Sequence, residues 1–202
     1  MLEHSHNFMQ LMLSRRSVRD FSTKKVPDKV IENILKTAIS SPSRANKQPW
    51  SFVIVKSKGL KKKIRIAAEI EERKFYSQRA TDEWIDDLNK FEISWGKSFL
   101  EKAPALIIIF RQSYDNSGSI KRKNYYVDEF VGIASGLLIT AIQNAGLVCL
   151  THTPSPVGFL ENILKRPKNE KAYLLIPIGF PAKDAHVPVL DKKPHSGCVK
   201  VL

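Results

Sequence analysis

The spacing of apolar and polar residues along the chain predicts both helices and strands. From Pro27 to Ile39 apolar residues recur every three or four positions, which indicates an amphipathic helix. A second helix should follow from about Lys61, and a short one around Leu160 to Leu164. Strands are predicted where apolar residues form continuous runs, at Trp50–Val55, Ala103–Phe110, Leu147–Leu150 and Ala172–Ile178. The order of these elements predicts an α+β fold.

Three segments lack a simple period. The stretch over residues 69–100 is rich in charged and aromatic residues, so we expect helices that cover a site, as a lid does. The stretch from Gln112 to Lys123 is typical of a polar loop, and residues 181–202, with several prolines, should form an extended arm. Because no shift in composition marks a linker, we expect residues 1–202 to form a single domain.

The most apolar stretch, from Phe130 to Leu150, is long enough to cross a bilayer, but Thr140, Gln143 and Asn144 interrupt it. It is more simply a core or dimer-interface helix, since Asp128 and Glu129 suit a first helical turn. The residues before Ser14 lack the uninterrupted apolar run of a signal peptide, and two cysteines cannot build a disulfide framework. We therefore expect a cytoplasmic protein without a membrane anchor.

Charge alone says little about the partner. The chain has 202 residues and a formal net charge of +13, which would suit a nucleic-acid binder. However, the basic residues are scattered, and we find no zinc spacing, no basic region followed by heptads and no glycine-aromatic signature. We predict no nucleic-acid partner. The histidines show no metal-ligand pattern either, so no metal is predicted.

A compact cationic cluster, Arg15-Arg16-Ser17-Val18-Arg19, follows a short amphipathic stretch near the N-terminus. Arginine can hold a phosphate through two parallel hydrogen bonds, and the Ser17 hydroxyl can add another. Taken alone, such a run is more often solvated surface than a phosphate site. Its significance depends on the other motifs of the chain.

Together with two further motifs, this cluster resembles the FMN-dependent nitroreductase superfamily. The first motif is the loop from Ser41 to Trp50, and the second is Gly179-Phe180-Pro181 followed by Lys192-Lys193-Pro194. The resemblance implies a mixed sheet wrapped by helices, and an intertwined homodimer that exchanges C-terminal arms. It also implies that FMN lies at the dimer interface.

Within the superfamily the chain is most similar to the iodotyrosine deiodinase branch, because Glu72, Tyr76 and Lys97 fall where that branch holds its amino-acid substrate. Glu72 and Tyr76 are spaced i and i+4, so they project from one helix face. The resemblance implies that Glu72 accepts from the ammonium of a halotyrosine, that Tyr76 and Lys97 donate to its carboxylate, and that the Ala45 N–H binds the phenolate. Without it, residues 69–74 would be taken for a solvated charged helix face.

The resemblance also assigns the cofactor contacts. The expected contacts are Arg15, Arg16, Ser17, Val18 and Arg19 at the flavin phosphate and ring edge, Ser43, Arg44 and Lys192 along the flavin, and Thr151, His152 and Thr153 from the partner chain.

Thr153 is the predicted catalytic residue. A hydroxyl donor at flavin N5 favours one-electron steps, through which reductive loss of halide from an aromatic ring can proceed. The plain alternative is that Thr153 caps the turn before Pro154. Arg44, His152 and Lys192 depart from the residues common in relatives. His152 could titrate near neutrality, although a lone histidine is more often a packing residue.

The predicted function is FMN-dependent reductive dehalogenation of halotyrosine, giving tyrosine and halide, with electrons from NAD(P)H or a reductase partner. The first alternative is a general NAD(P)H-dependent nitroreductase or quinone reductase on the same fold. The second is a non-enzymatic basic protein that binds polyanions with steep salt dependence.

Overall fold

The structure, a computed structural model, describes residues 1–89, 91, 94–116, 118 and 120–202. The lid predicted over 69–100 and the loop predicted from Gln112 to Lys123 each include positions (90, 92 and 93; 117 and 119) that lie outside the described residues. The helices are α1 (Leu2–Leu13), α2 (Asp28–Ile39), α3 (Lys58–Lys74), α4 (Asp82–Asn89), α5 (Phe99–Lys102), α6 (Val127–Asn144), α7 (Phe159–Ile163) and α8 (His195–Cys198). The strands are β1 (Trp50–Val55), β2 (Ala105–Gln112), β3 (Tyr114–Asp115), β4 (Arg122–Lys123), β5 (Val148–Cys149) and β6 (Glu170–Gly179).

A sheet of four strands, in the order β1-β2-β6-β5, lies at the centre of the molecule. Its neighbouring strands are antiparallel, and a parallel bridge between Ser17 and Cys149 adds a second direction at the β5 edge. Residues of β2 alternate between two apolar cores, one formed with α2 and α6 and the other with α3, α5 and α7. Helices thus cover both faces of the sheet, which explains why β2 is a continuous apolar run. The predicted α+β class is confirmed.

Two predicted helix boundaries shift for local reasons. Helix α3 begins at Lys58 and not at about Lys61, because the Ser57 hydroxyl accepts a hydrogen bond from the Leu60 N–H (3.4 Å) and caps the first turn. The apolar helix ends at Asn144 and does not reach Leu150. Gly146, at φ +71°, provides the left-handed turn after the helix, and the chain then returns to the sheet as β5.

The remaining segments contain more regular structure than their sequences suggested. The N-terminal stretch is the helix α1, which has no buried residue and contacts α6 through the Gln143 amide, 3.0 Å from the Ser14 hydroxyl. The predicted loop from Gln112 to Lys123 contains the antiparallel pair β3 and β4. Residues 181–202, the predicted arm, contain a turn at 183–184 and the short helix α8 and form no strand. Among helices of the described residues, none has the length and apolar content needed to cross a bilayer.

Candidate active site

The cationic cluster at 15–19 is attached to the sheet. Helix α1 ends just before it, and the Val18 N–H donates to the Cys149 carbonyl at 3.1 Å, next to the Ser17–Cys149 bridge. Because this N–H is already used, the predicted contact of Val18 with the cofactor is not made through it. The anchoring to β5 instead holds the flanking side chains of the cluster at a defined place on the sheet edge.

These side chains open into a cavity of about 610 Å³. Its polar wall combines the cluster with a lysine of the arm, whereas its apolar wall comes from the end of α1, the lid and the arm. The lining residues are Met12, Leu13, Arg15, Arg16, Ser17, Arg19, Leu88, Phe91, Val187, Pro188, Leu190 and Lys192. A wall of guanidinium, hydroxyl and ammonium donors opposite an apolar wall fits a ligand with a phosphate and a flat ring, and therefore fits FMN.

A second cavity of about 230 Å³ is lined by Glu72, Tyr76 and Lys97, the three residues predicted to bind the amino-acid part of the substrate. Lys97 Nζ lies 3.0 Å from Glu72 Oε2 and donates to the Ser94 carbonyl at 2.6 Å. The Lys97 and Glu72 side chains are only 4% and 14% exposed. Burial lowers the pKa of Lys97, an effect that the Glu72 carboxylate opposes, and burial together with Glu72 raises the pKa of Tyr76.

Thr151, His152 and Thr153 line this second cavity together with Arg19 of the same chain. In a single chain these three residues therefore lie beside Arg19 of the cationic cluster, and their approach to the cofactor from the partner chain stays a prediction. This placement follows from the backbone hydrogen bond between Val18 of the cluster and Cys149, because Thr151 comes only two residues after Cys149. Arg19 lines both cavities, as Leu88 does, so it lies where the two cavities adjoin. Burial lowers its pKa, and nearby Asp20 opposes the shift.

His152 is buried, in keeping with the packing role predicted as the more common one for a lone histidine. Burial, with Lys97 and Arg19 nearby, lowers its pKa to about 3, so the ring is neutral at physiological pH and does not titrate near neutrality. The ring packs edge-on against Phe99 at 5.6 Å between centroids. Its Nε2 has no hydrogen-bond partner among the residues that the structure describes. The main chain of His152 exchanges two hydrogen bonds with Leu175 in β6, which fixes the threonines on either side.

The lid begins with an irregular turn that shapes the second cavity. Directly after α3, Phe75–Arg79 form a single turn of π-helix, in which the Ala80 N–H donates to the Phe75 carbonyl at 2.9 Å. Arg79 donates to the Glu71 carbonyl at 2.7 Å and ties this turn to α3. The Phe75 ring contacts Trp84 of α4 at 4.8 Å, edge to face. Turns of π-helix occur frequently at functional sites, and this one carries Tyr76.

Ser43, Arg44 and Ala45 lie elsewhere. Ser43 and Arg44 line a third cavity of about 380 Å³, which shares no lining residue with the other two. The Ser43 hydroxyl accepts from the Gln48 N–H at 2.8 Å, and Arg44 lies over the Tyr126 ring at 5.0 Å. Ala45 has φ +51°, a left-handed conformation that costs a residue with a Cβ about 1 kcal/mol. A single chain does not bring this loop into the cavities that contain the cationic cluster.

Sequence reasoning missed the apolar lining of the substrate cavity. The residues concerned are Phe75, Trp84, Leu88, Phe99 and Leu150, and Ser155 adds a polar group. The one available signal was the alternation of aromatic and charged residues over 69–100, which indicated a cover without saying which rings face the site. In the part of the chain that the structure describes, no three His, Cys, Asp or Glu side chains are placed to hold a metal ion.

The model of the nitroreductase family matches residues 12–180 of the chain. An iodotyrosine deiodinase from Haliscomenobacter hydrossis is 53% identical over 194 residues, which cover 96% of this chain and 87% of that protein. An iodotyrosine deiodinase from Hydra vulgaris is 45% identical over 196 residues, covering 96% of this chain and 72% of that protein.

The fold is similar to that of solved structures. The crystal structure of an oxidized iodotyrosine deiodinase bound to FMN and 3-iodo-L-tyrosine superposes with a TM-score of 0.80 at 30% identity, covering 93% of this chain and 96% of that one. A BluB-like flavoprotein from Clostridium difficile 630 shares the fold, with a TM-score of 0.75 at 19% identity and coverage of 96% of this chain and 98% of that one. The chain belongs to the nitroreductase family, in the branch that contains the iodotyrosine deiodinases.

Proposed function

We propose that the protein is an FMN-dependent reductive dehalogenase that converts halogenated tyrosine to tyrosine and halide. The observation that carries the proposal is the buried pair of Glu72 and Lys97, with Tyr76 in the same cavity, beside Thr151–Thr153 and Arg19. A carboxylate and an ammonium side by side match the two charges of an amino-acid zwitterion. A general reductase of flat aromatic compounds needs no such pair.

The cofactor would be held mainly by the cationic cluster. Arg15, Arg16 and Ser17 offer donors to the phosphate, Arg19 reaches toward the substrate cavity, and Lys192 contributes a cation from the arm. When bound, FMN supplies the two electrons of the reaction. The carbon–halogen bond breaks, the halogen leaves as halide, and the ring carbon gains a proton.

The substrate's charged groups would enter between partners that already pair with each other. Glu72 accepts from the substrate ammonium, and Lys97 and Tyr76 donate to its carboxylate. The rings of Phe75, Trp84 and Phe99 form part of the cavity wall and would help to shield a bound substrate from bulk water. Charge-assisted hydrogen bonds are stronger in such a site than in water, so the clamp orients the amino-acid group firmly. The Thr153 hydroxyl is the proposed donor to the flavin.

The complete site requires a second copy of the chain. The loop of Ser43, Arg44 and Ala45 lies apart from the cationic cluster in one chain, and a homodimer lets each loop serve the other subunit's site. The Ala45 N–H would then bind the phenolate oxygen of the substrate. Exposed apolar residues support an interface, because Phe8 of α1 and Ile133 of α6 are 52% and 44% exposed.

The arm offers a specific way for the two copies to interlock. Strand β1 pairs only with β2 among the described strands, so its other edge has free backbone groups. Residues 199–202, Val-Lys-Val-Leu, are exposed, and Val199 has an extended backbone. An apolar strand of this kind is suited to pair with an open sheet edge, and we assign it to the partner's β1. Such an exchange would bury the arm's end in the dimer.

The donor of the electrons is NAD(P)H, either directly or through a reductase partner. Direct reduction would require the nicotinamide to use the substrate cavity. Mixing the anaerobic holoenzyme with NADH or NADPH and following flavin absorbance separates the two routes. The cysteines, Cys149 and Cys198, are both free thiols, which supports a cytoplasmic location.

The central test is an anaerobic single turnover. The flavin of the purified holoenzyme is reduced with dithionite, 3-iodotyrosine is added, and the oxidised flavin spectrum and tyrosine release are followed together. We expect reoxidation with one tyrosine formed per flavin. Flavin that stays reduced with iodotyrosine but reoxidises with a nitroaromatic would overturn the proposal in favour of a nitroreductase, and a preparation without flavin would favour the polyanion-binding alternative.

A further inference from the structure

One polar stripe of α3 faces the segment that returns from the lid. Lys61, Arg65, Glu69 and Glu72 are spaced by four, four and three residues, so they lie on one side of the helix. All four contact residues between 94 and 103. The helix that ends in the substrate clamp is therefore bonded along its length to the segment that carries Lys97.

Glu69 makes the contact that bears most directly on Lys97. Its Oε1 accepts the Lys97 backbone N–H at 2.8 Å and lies 3.5 Å from Arg65 Nη1. The Glu69 side chain is only 13% exposed. Glu69 thus holds the main chain of Lys97, while the ammonium of the same residue reaches Glu72 one helical turn further along α3.

The Lys97 N–H has no intrahelical acceptor, because this residue lies just before the first turn of α5. Its carbonyl already accepts from the Leu100 N–H at 3.0 Å, so the chain is turning into the helix here. A buried N–H that loses its acceptor costs about 1–3 kcal/mol, or else the main chain moves to reach water. Movement of the main chain would displace the ammonium from the clamp.

The other members of the stripe fix the far side of the same segment. Lys61 is buried and donates from Nζ to the Glu101 carbonyl at 2.8 Å and to the Ala103 carbonyl. Arg65 pairs with the Glu101 carboxylate. Because these contacts secure α5 independently, loss of the Glu69 contact should loosen the main chain at Lys97 without releasing the whole segment.

We propose that Glu69 is a positioning residue that sets the affinity for the substrate zwitterion by holding the main chain of Lys97. The inference rests on the proposed function, since it assigns Lys97 to the substrate carboxylate. Glu69 itself is not among the residues that line the first or the second cavity. The plain alternative is that Glu69 only neutralises Arg65. In that case substrate affinity would depend on the charge of the Glu69 side chain and not on its length.

Two conservative variants separate reach from charge. Glu69→Gln keeps the length and an acceptor oxygen but loses the charge, whereas Glu69→Asp keeps the charge but is one methylene shorter. Glu101→Gln removes the other carboxylate beside Arg65 and is the matched control. For each holoenzyme, 3-iodotyrosine binding is measured by quenching of flavin fluorescence, with nitroaromatic reduction and thermal melting as independent readouts.

We expect Glu69→Asp to weaken iodotyrosine binding by about tenfold, which corresponds to the loss of one charge-assisted hydrogen bond. Glu69→Gln and Glu101→Gln should stay within about threefold of the wild type, and all three variants should keep nitroaromatic reduction, which does not use the clamp. Amide exchange at Lys97 should accelerate in Glu69→Asp only.

The inference would be overturned if Glu69→Asp bound 3-iodotyrosine as tightly as the wild type does. It would also be overturned if Glu69→Gln or Glu101→Gln lost as much affinity as Glu69→Asp. A failure of the proposed function looks different, because wild-type holoenzyme would then neither bind nor dehalogenate iodotyrosine. In that case faster amide exchange at Lys97 in Glu69→Asp would still report whether Glu69 holds this main chain.

Discussion

Lys97 Nζ lies 3.0 Å from Glu72 Oε2, and both side chains are largely withdrawn from solvent. Each group therefore compensates the charge of the other before any ligand binds. A ligand with a single charge would leave one of them without a partner in a buried site, which is costly. A zwitterion would supply a partner for each, so under the proposed function the pair would select ligands that carry an ammonium and a carboxylate together.

Glu72→Gln should weaken halotyrosine turnover and spare the reduction of nitroaromatics. The amide cannot offer the ammonium a negative charge, and it leaves Lys97 buried without its carboxylate. Loss of a charge-assisted hydrogen bond corresponds to about 1.5–3 kcal/mol, or roughly 10–100-fold in kcat/KM. Steady-state kinetics with 3-iodotyrosine and with a nitroaromatic give the two values on one preparation.

Glu71→Gln is the matched control, because Glu71 is the adjacent residue of α3 but pairs with Lys74 and Arg79. It should change halotyrosine turnover by less than about threefold. Comparable losses of both activities in Glu72→Gln would mean that the residue supports the fold in general and not the substrate.

Thr153→Ala should lower dehalogenation more than nitroaromatic reduction. The hydroxyl of Thr153 is the proposed hydrogen-bond donor to the flavin, and removal of one such donor costs roughly 10²–10³-fold in well-studied sites. Thr153→Ser keeps the hydroxyl and should restore most of the activity. The measurement is the ratio of dehalogenation to nitroaromatic reduction in both variants. A ratio in Thr153→Ala that equals the wild-type ratio would contradict the assignment.

Acid should destabilise the protein through His152. Burial lowers the pKa of this residue to about 3 in the folded protein, whereas an unfolded chain has an ordinary histidine pKa near 6.5. Between these values the unfolded chain binds a proton that the folded protein does not, so the free energy of unfolding falls as the pH drops below about 6.5. The contribution amounts to about 2 kcal/mol at pH 5.

His152→Asn removes the titrating group, so its stability should fall less between pH 7 and pH 5 than that of the wild type. Urea unfolding of both proteins at the two pH values gives the comparison. Identical losses would show that His152 is not kept neutral by the fold.

A chain that ends at Pro194 should form a weaker dimer. It retains Lys192 but lacks residues 195–202, the part of the arm assigned to the partner's β1. Sedimentation across a concentration series should show a dissociation constant raised by at least about tenfold, since a strand of main-chain hydrogen bonds is lost. Lys200→Ser in the full chain is the control, and an unchanged dimer in the shortened chain would exclude the arm exchange.

Sequence patterns predicted the elements that depend on burial. Strands β1 and β2 could be predicted because their apolar runs pack into the cores on both faces of the sheet. Strand β1 has the predicted bounds, and β2 begins two residues later than predicted. The start of α3 was misplaced, and the apolar run to Leu150 did not reveal the residue at which α6 ends. Those boundaries depend on a hydroxyl cap at Ser57 and a left-handed turn at Gly146, which periodicity does not reveal.

The site was predicted unevenly for a similar reason. Charged side chains such as Glu72 and Lys97 were identified through motif resemblance, and the structure brings them together. The position of Thr151–Thr153 beside Arg19 was not predicted, because it depends on strand pairing over a long sequence separation. The bridge between Ser17 and Cys149 brings these two segments together, and neither residue carries a sequence signal for that pairing.

That bridge makes the cationic cluster part of the sheet edge. A ligand held by Arg15 and Arg16 is consequently attached to hydrogen-bonded backbone that must open when the protein unfolds. Binding free energy then adds to folding free energy, and the protein without its cofactor is the more readily unfolded and degraded form. In a cell, the supply of flavin would set how long the polypeptide survives as well as how fast it works.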